Sequence, residues 1–571
     1  MVKFLIGLVT GVLLVILTIG LLVFAALRFR ERPPDIADDS VVVLRLQGDV
    51  PEKAPVEIPF ISEDQVLTVA DVWTVLRNAA ADSHIKAVVL EPEGLSTGWA
   101  KLEEIRGDIE KFRKSGKPVY AYLRTPQARE YLVACGADRI YMGTADQFYV
   151  KGLRAELMYF KKTLDKLGVS VDVEHAGKYK DFGDQFTRSD MSPETREVIT
   201  SVVDDLYGSM VNDIAASRKK TPEQVRAAID QGVFLADQAQ KAGFVDDLKF
   251  EDEMWGDIKG RLHLKDLKRV RATTYAKAEA PAALRGRSRI ALVVGAGDIV
   301  RGSPNDDAAD ENNLASYPFD RLLEQVANDS SIKAVVVRID SPGGEVVASD
   351  EIWREMNLLS KKKPVVISMS DTAASGGYYI AMTGDPILAY PDTETGSIGV
   401  VFGKPNLHGL YDKLGITKDA IQRGKYADID SDYTSLSADE QKKLKEGIDA
   451  SYEDFVTKVA NARHRKFNEI EPVSQGRVWL GSQAKPRGLV DQLGGLDDAI
   501  DLVKKRAKIP AAEPVTVVAY PPRRSVFDLL FRRSQTDMLE SKLAEAFRGV
   551  PFRAWMHGGM LRMMPYWIVV K

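Results

Sequence analysis

The sequence predicts an α/β protein made of two tandem copies of one parallel-sheet unit, with a single membrane-spanning helix in front of them. Three observations carry this. Short strings recur in the same order 247 positions apart, β-branched runs alternate with helical patterns inside each recurrence, and residues 4–27 carry no charge.

The uncharged run comes first in the chain. Its 24 residues, at about 1.5 Å each, exceed the roughly 30 Å hydrocarbon core of a bilayer. A cleaved leader has a shorter apolar core and a small-x-small site, whereas this run ends in Ala25, Ala26 and Leu27 followed by Arg28, Arg30 and Arg32. It therefore reads as an uncleaved anchor within residues 1–30. By the positive-inside rule those arginines would stay in the cytoplasm.

The recurrence follows. Residues 85–89 return as 332–336, 165–169 as 412–416, and Gly177-Lys178-Tyr179 as Gly424-Lys425-Tyr426; with a shift of two, 233–246 returns as 478–491. Ordered matches at nearly constant spacing mark a duplication. The copies span 40–270 and 289–511. Between them 271–288, rich in Ala and Arg with Pro281 and Gly286, reads as a linker. From 512 to 571 the repeat is lost, and a tail of mixed apolar and basic residues is expected to pack on its own chain.

Within each copy, strands are expected at 41–46, 87–90, 334–339 and 365–369, alternating with helices such as 70–81, the pattern of a parallel βαβ sheet. Ser192 before Pro193 and Glu194, and Ser437 with Glu440, signal helix starts at equivalent places.

Composition narrows the chemistry. A formal charge of −4, with 78 basic and 82 acidic residues mixed throughout 571, offers no basic stripe for nucleic acid. The single cysteine, Cys135, excludes an intramolecular disulfide and a thiolate zinc cluster, and it reads as a buried structural thiol. The six histidines form no short-spaced pair for a metal.

What remains is nucleophilic chemistry. The strand at 334–339 runs into Asp340-Ser341-Pro342-Gly343-Gly344, whose paired glycines can aim backbone N–H groups into a cleft. The next strand leads to Ala373-Ala374-Ser375-Gly376-Gly377, a serine among small residues at a strand-to-helix junction. If Ser375 attacks a carbonyl, the N–H of Gly376 with that of Gly343 or Gly344 forms an oxyanion hole. An isolated Ser-Gly-Gly would be read as a helix cap, and a lone lysine as a solvated one. The duplication supplies the missing context. At the common offset the first copy has Ala128 where the second has Ser375, while the second has Ala427 where the first has Lys180. Nucleophile and candidate base are divided between the copies. Lys180 serves as base only when neutral, so burial, helped by Phe182 and Phe186, must lower its pKa; Asp181 and Asp184 would oppose this. A Ser-His-Asp triad through His175 or His408 is the competing arrangement.

Ser341-Pro342-Gly343-Gly344, Ala373-Ala374-Ser375-Gly376-Gly377-Tyr378, Gly396-Ser397-Ile398-Gly399 and Gly177-Lys178-Tyr179-Lys180 together resemble the signal peptide peptidase A (protease IV) family in its long, duplicated form. The resemblance implies two ClpP/crotonase-like domains, Ser375 as nucleophile and Lys180 as general base. It also implies a homotetramer, anchored in the bacterial inner membrane by a single pass with its catalytic part on the periplasmic side, that degrades cleaved signal peptides. The resemblance is followed over the anchor's charges. Ser397 is a candidate for orienting neutral Lys180, or else a plain turn serine.

The expected activity is a Ser-Lys endopeptidase that needs no cofactor or metal, takes signal peptides and other apolar peptides, and works at a membrane without nucleic acid. Two alternatives stand beside it: a crotonase-like acyl-CoA enzyme using the Pro-Gly-Gly turn alone, and a non-catalytic membrane scaffold.

Overall fold

In a computed structural model, described for residues 33–55, 66–304, 306, 312–523 and 560–564 and for single residues 11, 14, 15, 17 and 18, each copy builds its own parallel sheet. The first runs, edge to edge, Asp247–Leu248, Arg139–Met142, Val119–Leu123, Ile85–Leu95, Ser40–Gly48, Lys268–Arg271. The second runs Val478–Leu480, Glu394–Gly396, Val365–Ala374, Ile332–Ser341, Ser288–Ala296, Val515–Tyr520, with Ile387–Ala389 also paired to Val365–Ala374 and Gln492–Leu493 paired to Ile387–Ala389, as Arg139–Met142 and Asp247–Leu248 pair in the first. All neighbours are parallel except the pair Glu394–Gly396 and Val478–Leu480. Central strands such as Ile332–Ser341 are apolar on both faces because helices cover both, as a parallel sheet requires.

The duplication is visible element by element. Val69–Ala81 corresponds to Ser316–Asn328, and Lys161–Leu167 to His408–Leu414, at the separation of the sequence repeat. Both predicted helix starts are capped. Ser192 Oγ accepts from Thr195 N at 3.0 Å, and Glu440 returns the bond from the backbone of Ser437 at 2.8 Å. Each such cap is worth about 1 kcal/mol.

Two boundaries differ from the sequence reading. Val515–Tyr520 pairs with Ser288–Ala296 as Lys268–Arg271 pairs with Ser40–Gly48, so the second unit continues through residue 520. An edge strand is held by backbone hydrogen bonds, which leave side chains free to diverge, and for that reason the string match ends too early. The segment read as a linker carries the helix Ala272–Tyr275, and its Ala272 and Tyr275 are buried against the first core.

A third sheet joins the copies. Its order is Asn313–Ala315, Asp298–Val300, Gly343–Glu345, Met560–Met563, Val400–Asn406, Ser170–Ala176. Ser170–Ala176, from the first copy, lies antiparallel on Val400–Asn406 of the second, from Asn406 opposite Ser170 to Val400 opposite Ala176. Met560–Met563 shows that part of the tail does pack on its own chain.

At strand Ile332–Ser341 the copies also share a buried charge network. Arg338 donates to Glu52 at 2.9 Å and to Glu104, and Ser368 and Ser370 complete its shell. Deleting one partner of such a buried set costs about 3–5 kcal/mol. The uncharged run 4–27 lies, apart from those single residues, outside the described residues; among them no helix is long and apolar enough to cross a membrane.

Candidate active site

Three turns and one loop meet at the end of the second sheet. Val365–Ala374 delivers Ser375 at φ +54° and ψ −113°, a backbone conformation outside the ordinary wells that is tied by Ser375 N donating to Gly396 O at 2.8 Å. Such strain, about 1–3 kcal/mol, persists only where surrounding contacts enforce it. One helical turn later Tyr379 N donates back to Ser375 O at 2.8 Å.

The Gly343-Gly344 turn lies against this one. Gly343 has φ +106°, and a Cβ placed on it would come 2.6 Å from Gly376 N. No side chain fits there, so the two glycine turns form one wall. Gly343 N donates to Ser341 Oγ at 3.2 Å. Lys101 fixes the turns from below, its Nζ 2.8 Å from Asp340 and 3.4 Å from Asp371, while Thr372 N donates to Asp340 at 3.0 Å. Sequence reasoning missed Lys101, Asp340 and Asp371 as a unit, because Lys101 comes from the first copy's helix Trp99–Arg113 and no string links it to the turns.

The loop after Ser170–Ala176 brings in the lysine. Tyr179 N donates to Gln475 O at 2.7 Å, and Gly476 leaves room for Lys180, whose Cβ and backbone would clash with any side chain at that position. Lys180 is fully buried, with Nζ 2.8 Å from Ser375 Oγ and 2.9 Å from both the carbonyl oxygen and Oγ of Ser397. Burial dominates its electrostatics and holds its pKa well below the ordinary lysine value; Asp181 pulls the other way and Arg562 adds to the depression. The opposition of Asp181 is weakened by its own burial, which pushes it up to about 7 against a hydrogen bond from Thr195 that favours the carboxylate. Phe182 and Phe186 pack beside it with Val401, Leu561 and Met563.

The structure thus brings Ser375, Lys180, Ser397, Gly343, Gly344 and Gly376 into one cluster. It does not bring in the histidines. His175 Nδ1 sits 3.1 Å from Gly177 O and His408 stacks on Tyr433; among the described residues no histidine exchanges a hydrogen bond with Ser375. Cys135 is buried with its thiol pushed up to about 12, as a structural thiol would be.

Within the second copy, residues 310–395 match the Clp protease family. More particularly, the chain belongs to peptidase family S49, whose pattern matches it twice, at 111–265 and 357–510. It is 34% identical over 504 residues to the chloroplastic serine protease SPPA of Arabidopsis thaliana, covering 86% of this chain and 73% of that one. It is 31% identical to Protease 4 of Salmonella typhi, covering 84% and 78%. A shorter relative, a putative signal peptide peptidase SppA of Enterococcus faecium, is 38% identical over 39% of this chain and 66% of its own. The chain is a serine peptidase, which sets aside the acyl-CoA and scaffold alternatives.

Proposed function

We propose that this peptidase is a membrane-anchored Ser-Lys endopeptidase that degrades signal peptides after their release from precursors. The observation that carries the reading is the 2.8 Å approach of Lys180 Nζ to Ser375 Oγ inside a buried site. A neutral amine has two hydrogens and one lone pair. With both hydrogens given to Ser397, its lone pair faces the Ser375 hydroxyl. Ser375 Oγ attacks the peptide carbonyl as its proton passes to Nζ. Because Gly343 N is engaged by Ser341, the N–H groups of Gly344 and Gly376 are the donors for the oxyanion, each worth about 3–4 kcal/mol in the transition state. Lys180 then gives its proton to the leaving amine and draws another from the water that hydrolyses the acyl-enzyme.

The uncharged run 4–27 supports an anchor, and the signal peptide peptidase among the relatives supports the substrate class. A single-pass placement with the peptidase on the periplasmic side of a bacterial inner membrane completes the reading; protease protection in spheroplasts tests it. A homotetramer belongs to it as well. The second copy's counterpart of the docked strand, residues 417–423, is exposed, with Ile421 88% accessible, and Met158 on the first copy is 70% accessible. A neighbouring subunit would pair these surfaces as Ser170–Ala176 pairs with Val400–Asn406.

The test compares cleavage of a signal-peptide substrate by wild type, Ser375→Ala and Lys180→Ala across pH. Loss in both variants is expected, together with labelling of wild type by a fluorophosphonate. Activity surviving in Lys180→Ala would sink the dyad, and survival in Ser375→Ala would sink the serine mechanism.

A further inference from the structure

The tail strand Met560–Met563 lies in the cleft itself. It runs antiparallel to Gly343–Glu345, with Gly344 opposite Arg562, and antiparallel to Val400–Asn406, with Val401 opposite Leu561. Met564 N donates to Pro342 O at 2.9 Å. The Arg562 carbonyl oxygen sits where the two glycine turns converge: a Cβ on Gly376 would stand 3.0 Å from it, and one on Gly343 would collide with it. That is where the carbonyl of a bond under attack by Ser375 belongs. The tail is therefore seated as a peptide substrate would be, with Arg562 on the acyl side of the bond.

Its side chain reports what that position accepts. The Arg562 guanidinium lies 3.7 Å from the ring centroid of Tyr379 and 5.3 Å from that of Phe455, is 2% exposed, and reaches Asp454 at 3.4 Å. Tyr379 Oη donates to Asp350 at 2.6 Å and lies 3.1 Å from Asp454. Two carboxylates, Asp350 and Asp454, thus face one resident cation, Lys458, 3.3 Å from the first and 2.6 Å from the second. Without Arg562 the pocket is left one positive charge short, and its aromatic wall favours a flat cation.

We infer that the cleft takes peptides as the strand between Gly343–Glu345 and Val400–Asn406, and that Tyr379, Phe455 and Asp454 form a subsite for a basic side chain immediately before the cleaved bond. The inference rests on Ser375 as nucleophile and adds the substrate class of that site. A cation held there also works on the base, since the charge of Arg562 pushes Lys180 further down. Signal peptides carry their basic residues in the n-region, so the first cut falls there rather than in the apolar core.

The experiment uses the full chain, as wild type and as Arg562→Ala to vacate the subsite. Three fluorogenic peptides differ only in Arg, Leu or Glu before the bond, and the cut is mapped by mass spectrometry. The expected order of kcat/KM is Arg, Leu, Glu, with Arg ahead of Leu by about thirtyfold, the size of a desolvated cation–π contact. Asp454→Ala brings the Arg-to-Leu ratio toward one, and Asp454→Lys moves preference from Arg toward Glu. A ratio at or below one in both wild type and Arg562→Ala overturns the subsite, whatever the Asp454 variants do. Cleavage persisting in Ser375→Ala overturns the nucleophile instead and leaves a different signature, since all three peptides are then cut in the absence of Ser375.

Discussion

The two copies share a sheet order and a set of helices, yet one holds Ser375 and the other Lys180, the proposed nucleophile and base. In the second copy the turn after Val365–Ala374 presents Ser375; at the matching place the first copy has Ala128, inside an ordinary helix, Ala128–Ala134. The loops compare the other way. Gly177-Lys178-Tyr179-Lys180 is clamped by Gln475 and Gly476 and its lysine is fully buried, whereas Gly424-Lys425-Tyr426-Ala427 is exposed. The difference teaches that a buried amine needs a second wall. A lysine in the first copy's loop is desolvated because the other copy covers it; the same string without a cover would hold a solvated lysine with an ordinary pKa.

The largest effect that can break this comparison is at the divided pair. Ser375→Ala and Lys180→Ala are each expected to lower kcat by about 10⁴-fold or more, and Lys180→Arg to give no rescue because a guanidinium stays charged. Steady-state hydrolysis of a signal-peptide substrate checks this. Moving the residues onto the other copy sharpens it. Ala128→Ser with Ala427→Lys in a Ser375→Ala chain is expected to show no recovered activity or fluorophosphonate labelling, since the 424–427 loop is uncovered. Recovery there would mean that composition alone makes the site.

Next comes Gly343→Ala. The new Cβ would meet Gly376 N at 2.6 Å in a backbone at φ +106°, so kcat is expected to fall about 10²–10³-fold, the loss seen for an oxyanion donor. Chemical denaturation should show a cost of about 1–3 kcal/mol for the left-handed strain.

The pH dependence follows from the direction of the Lys180 shift. Its pKa is lowered on folding, so between the folded value and the ordinary one the unfolded chain binds more protons, and this lysine's contribution to stability rises with pH. Relative to Lys180→Met, wild type should therefore gain stability from neutral pH toward 10, by about 1.4 kcal/mol per unit of depression. In wild type, kcat/KM should rise through the same depressed pKa. The smallest effect is expected at Ser397→Ala, which removes one of two bonds orienting Nζ: about a tenfold loss in kcat with KM unchanged, from a bond worth about 1–1.5 kcal/mol.

Much of this was legible in the chain. The strands at 334–339 and 365–369, the caps at Ser192 and Ser437, the duplication, and the complementary Ala128/Ser375 and Lys180/Ala427 positions are all matters of local pattern, and local pattern is written in adjacent residues. The extent of the second unit was not legible, because Val515–Tyr520 is joined by backbone bonds that carry no side-chain signature.

By itself, then, the sequence determined two α/β units, which residues could carry nucleophilic chemistry, and that these were divided between the copies. Only the tertiary structure decided that Ser170–Ala176 crosses onto the other copy, that Lys101 and Arg338 tie the halves beneath the turns, and that Met560–Met563 fills the cleft. The physical reason is range. Propensity and periodicity act over a few residues, whereas desolvating Lys180 and aligning it with Ser375, 195 positions away, requires surfaces from both copies to exclude water from the same small volume.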